Sequence, residues 1–77
     1  MKVEVFKTNV ADPELAKSLM DQIESHFTNC RVNFDLEDSD RILRVVCKGK
    51  IQSDLLIDLL KSFGCAAEVL PDIIQTN

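Results

Sequence analysis

Along the chain the spacing of apolar residues switches repeatedly between two and about four. An alternating run is followed by a helical one, two alternating runs, a second helical run and a last alternating one, with no linker between them. That order predicts a single β-α-β-β-α-β unit within 77 residues. Residues 2–7 alternate as a strand, with Val3 and Val5 on one side and Glu4 and Phe6 on the other. Asp12 is placed to cap a helix that begins at Pro13, where the missing N–H of proline costs nothing. From there Leu15, Leu19, Ile23 and Phe27 recur every four residues, with Ala16 and Met20 beside them, which predicts one apolar stripe.

Residues 31–36 alternate again, with Val32, Phe34 and Leu36 inward, and Glu37-Asp38-Ser39-Asp40 reads as a turn. Residues 42–47 return, and their register can be argued. Pairing Leu36 with Ile42 would drive Arg44 into the core, whereas a shift of one residue buries Leu43, Val45 and Cys47 and leaves Arg44 outside. The shifted register is expected. Ser53 is the expected cap of a second helix whose stripe is Leu56, Leu59, Leu60 and Phe63, ended by Gly64. Ala67 and Val69 mark a short last strand before Pro71. The expectation is therefore an α+β, ferredoxin-like domain over residues 1–71 with a flexible tail at 72–77. Its antiparallel sheet of four strands would carry both helices on one face and leave the other open, lined by Phe6, Ile42, Arg44, Val46, Glu68 and Leu70.

A hydrophobic share of 45% is enough for a core and argues against disorder. The net charge of -4 argues against binding a phosphate backbone, so no nucleic-acid partner is expected. Charged residues in Met1-Lys2-Val3-Glu4-Val5 interrupt any signal-peptide core, and no apolar run approaches the ~18 residues of a membrane span. Three cysteines, Cys30, Cys47 and Cys65, are an odd number at wide spacings, which suggests neither a disulfide framework nor a zinc site. The default location is then a reducing cytoplasm.

Val32-Asn33-Phe34-Asp35-Leu36-Glu37, followed by Phe63-Gly64-Cys65-Ala66-Ala67-Glu68-Val69-Leu70, resembles the heavy-metal-associated domain family of copper chaperones and metal-transporting ATPases. The resemblance implies the same element order over nearly the whole chain. It also implies a Met-x-Cys-x-x-Cys loop before the first helix, where paired thiolates hold a soft ion such as Cu(I). Here the matching stretch, Asn9-Val10-Ala11-Asp12-Pro13-Glu14-Leu15-Ala16, contains no Cys, His or Met. The fold carries over; the metal site does not, and no cofactor is expected.

The remaining candidates for chemistry are few. Cys30 and Cys47 both face inward near the open end of the hairpin, either as a redox or soft-metal pair or as two small buried hydrophobes; the usual burial of free cysteine favours the second. Cys65 occupies a position that the resembling family fills with an aromatic residue, and it is a weak metal candidate for which packing is the favoured role. His26, at the end of the first helix, is accounted for by the helix dipole. No nucleophile–base pair or carboxylate dyad emerges, so no enzyme is expected. The expected function is a non-enzymatic module that binds a protein partner or a second copy of itself through Phe6, Ile42, Arg44, Val46 and Glu68. The alternative is a divergent metallochaperone-like protein using Cys65 and non-standard ligands.

Overall fold

A computed structural model describes residues 1–70, so the expected tail and Pro71 lie outside the described residues. The elements are β1 (Lys2–Thr8), α1 (Pro13–His26), β2 (Cys30–Asp35), β3 (Ile42–Cys47), α2 (Ser53–Ser62) and β4 (Ala67–Val69). The strands form one antiparallel sheet in the order β2-β3-β1-β4, with both helices packed on one face. This is the expected α+β, ferredoxin-like architecture.

Local chemistry explains most boundaries. The Asp12 carboxylate accepts from the Glu14 N–H at 3.0 Å, and its carbonyl accepts from Ala16 at 2.9 Å, so α1 starts as its cap and Pro13 dictate. The buried residues of α1 are Ala16, Leu19 and Ile23, which follow the apolar stripe. α2 ends in a Schellman arrangement: Cys65 N–H reaches the Leu60 carbonyl, Gly64 N–H reaches that of Lys61, and Gly64 supplies a φ of 79°. Two expectations for α2 are corrected. Ser53 is its first residue rather than its cap, because its hydroxyl donates to the Glu4 carboxylate across to β1. Phe63 falls past the last helical residue, so it leaves the buried stripe and is 42% exposed.

The hairpin takes the shifted register, with Phe34 opposite Leu43, Val32 opposite Val45 and Arg44 outward opposite Asn33. Its turn is closed by Asp38, whose carboxylate accepts from the Asp40 N–H and whose carbonyl accepts from that of Arg41. Arg41 adopts a φ of 48°, and its guanidinium donates back to the Leu36 carbonyl at 3.0 Å.

The placement of Phe6 is the main correction. β1 sets Phe6 opposite Leu43 and Glu4 opposite Val45, so Phe6 lies under the helices at 0% exposure, not on the open face. It packs in one cluster with Leu19, Ile23, Leu43, Val45, Leu56 and Leu60 among others. Burying an aromatic ring removes far more apolar surface from water than burying either valine. The polar neighbours that accompany Phe6 inward also find partners. Glu4 meets Ser53, while the Thr8 hydroxyl donates to the Arg41 carbonyl at 2.6 Å and accepts from the Val10 N–H at 3.2 Å.

Candidate functional site

The inward choice for Phe6 determines what the open face carries. Its cross-strand rows read Arg31–Val46–Val3, then Asn33–Arg44–Val5, then Asp35–Ile42–Lys7–Glu68. Leu70 extends the middle row, since its N–H donates to the Val5 carbonyl at 2.8 Å. Of the expected residues, Arg44 and Glu68 are exposed here and Val46 is half-buried. Ile42 lies on this face but sits between Asp35 and Lys7 in its row and is 8% exposed. Val3, at 59% exposure, takes the apolar role assigned to Phe6.

The face is bipolar. Arg31 lies at one end, where Lys48 follows β3, and Arg44 lies in the middle row. Asp35 and Glu68 lie at the other, where Lys7 is engaged with Asp40 at 4.0 Å. That pair is about half exposed on both sides, so it adds little stability and chiefly offsets the Lys7 charge. Arg31 and Arg44 make no ion pair among the described residues.

The two sheet edges differ. On β2 the outward-pointing N–H of Val32 donates to the Glu24 carboxylate at 3.0 Å, and that of Cys30 to the Phe27 carbonyl at 2.9 Å. Two donors that a docking strand would need are thus already used. β4 is only three residues long. Neither edge is a good template for another strand.

The stretch that would carry a metal loop has other tasks. Asp12 caps α1, and Asn9 clamps the start of β4: its side-chain carbonyl accepts from the Ala66 N–H at 2.8 Å, while its own N–H donates to the Ala66 carbonyl at 3.3 Å. Cys65 is 6% exposed and belongs to the core cluster. Among the described residues no three of His, Cys, Asp and Glu gather where they could hold a metal ion. Nor is any helix there long and apolar enough to cross a membrane.

Cys30 and Cys47 require a second correction. They stand directly opposite in the β2–β3 ladder with Cα atoms 4.1 Å apart, and they are joined as a disulfide rather than packed as separate hydrophobes. The Lys48 N–H to Asn29 carbonyl bond beside them identifies theirs as a non-hydrogen-bonded position, where facing side chains approach most closely. Spacing along the chain hides this pairing; the hairpin register creates it. It also removes the ground on which a reducing compartment was preferred.

In comparisons with known proteins, no family model, no curated protein and no solved structure matches this chain, so the likeness to heavy-metal-associated domains stands on its framework residues alone.

Proposed function

We propose that the protein is a small non-enzymatic module, built like a heavy-metal-associated domain without the metal loop, that self-associates through its open sheet face. The observation that carries this reading is the bipolar face itself. Val3 and Val46 share the end row with Arg31, Val5 shares the middle row with Arg44, and the carboxylates of Asp35 and Glu68 lie at the other end. A second copy laid across it with its strands reversed brings Arg31 over Asp35, Val46 over Ile42 and Val5 over its own copy. The two Arg44 side chains then meet at the centre, a like-charge contact that limits affinity. The protected β2 edge and the short β4 edge favour the face over strand addition.

The face is small. Four strands about 4.8 Å apart and six residues of about 3.3 Å each make it about 20 Å square. That is well under the roughly 800 Å² per partner of a standard interface, so weak association is expected. The alternative, a divergent metal-binding protein using Cys65, has less support because that thiol packs in the core.

Sedimentation equilibrium of the full chain tests the proposal. Association should weaken on Val46→Asp and on Arg31→Glu, and should recover in the double variant Arg31→Glu/Asp35→Arg. A wild-type monomer at about 1 mM would overturn self-association.

A further inference from the structure

The Cys30–Cys47 disulfide lies beside a cavity of about 230 Å³ between the end of α1, the loop before β2 and the start of α2. Cys30 is on its wall, together with His26, Asn29, Lys50 and Gln52. In a chain of net charge -4, this cavity wall carries no carboxylate side chain, and its ionisable groups other than the cysteine are a lysine and a histidine. The His26 Nδ1–H donates to the Gln22 carbonyl at 2.9 Å, which holds the ring at the rim and leaves Nε2 without that bond. Both cysteines are buried residues, but only Cys30 lines the cavity, and as a whole residue it is 8% exposed against 1% for Cys47.

We infer that Cys30–Cys47 is a reversible thiol–disulfide exchange site, attacked at Cys30 by a low-molecular-weight anionic thiol of the glutathione class that enters this cavity. The cationic wall favours both the carboxylates of such a thiol and its attacking thiolate. The thiolate adds to Cys30 Sγ, the S–S bond breaks, and the electron pair leaves on Cys47 sulfur, which takes up the proton lost by the incoming thiol. A second thiol then attacks the incoming sulfur now bonded to Cys30. This releases Cys30 as a thiol and the two small thiols as one disulfide. Two small thiols are oxidised as the protein pair is reduced, and the reverse reaction restores it. Because the β2–β3 ladder holds both residues opposite one another, neither direction requires the backbone to rearrange.

The test uses the full chain in a Cys65→Ser background, incubated in glutathione buffers stepped from oxidising to reducing, then quenched with acid, alkylated and weighed. The expected result is a reversible gain of two alkyl groups, one on each freed thiol, with the folded circular-dichroism spectrum retained. With Cys47→Ser added, oxidised glutathione should give a mixed disulfide on Cys30. Lys50→Glu should slow reduction by glutathione at least about threefold more than reduction by uncharged 2-mercaptoethanol. Should Cys65→Ser not fold, peptide mapping of alkylated wild type gives the same readings. A disulfide that glutathione reduces only in denaturant would overturn the inference. So would modification at Cys47 in preference to Cys30 when wild type is trapped in mid-reaction, or an equal effect of Lys50→Glu on both reductants.

Discussion

The two sides of β1 invert what their apolar residues suggest, whereas those of β3 do not. On β1 the exposed side holds Val3 and Val5, whereas the side pressed against the helices holds Glu4, Phe6 and Thr8. On this one strand the side with more hydrophobic residues is the one turned from the core. On β3 the two sides are more nearly matched: Leu43, Val45 and Cys47 lie beneath the helices, and Ile42, Arg44 and Val46 lie outside. A strand in such a sheet is oriented by its bulkiest side chain and by whether the polar residues beside it find partners. Phe6 goes in because Leu43 faces it across the ladder, and Glu4 and Thr8 follow because Ser53 and Arg41 receive them.

Phe6→Asp breaks the comparison most severely. It buries an unpaired charge at a fully covered site, so the chain should lose its cooperative thermal transition, at a cost above about 4 kcal/mol. Were this variant to fold and only lose self-association, the assignment of faces would be wrong. Opening the Cys30–Cys47 link, by a strong reductant or by Cys30→Ser/Cys47→Ser, should lower stability by about 2–4 kcal/mol in urea unfolding. The loss follows from freeing β2, the edge strand, from β3 in the unfolded chain. Thr8→Val keeps the shape of a buried residue while leaving the Arg41 carbonyl and Val10 N–H without their hydroxyl partner. A loss of about 1–3 kcal/mol is expected by the same measurement, and a neutral result would mean that the hydroxyl does not help orient β1. Val3→Asp, on the open face, should change monomer stability by no more than about 0.5 kcal/mol. Paired with Phe6→Asp, it reads the difference between the faces directly.

Much of this protein was legible in its residues. The order of periods predicts all six elements, Asp12-Pro13 marks the start of α1, and Gly64 marks the end of α2. The exclusion of Arg44 from the core yields the hairpin register from the residues alone, and Arg44, Val46 and Glu68 lie on the open face as expected. These features depend on neighbours along the chain or on one adjacent strand, where local sterics and a period of two leave little freedom.

Tertiary structure decided the rest, because each remaining feature depends on groups far apart in sequence. Which side of β1 is buried depends on Leu43, Ser53 and Arg41, between 33 and 49 residues away for its two polar contacts. The bond between Cys30 and Cys47 spans 17 residues and exists because the register sets them opposite one another. The bipolar face and the cationic cavity are likewise products of packing. Composition records how much charge a chain of -4 carries, but only the folded arrangement sets Arg31 and Asp35 at opposite ends of one sheet face.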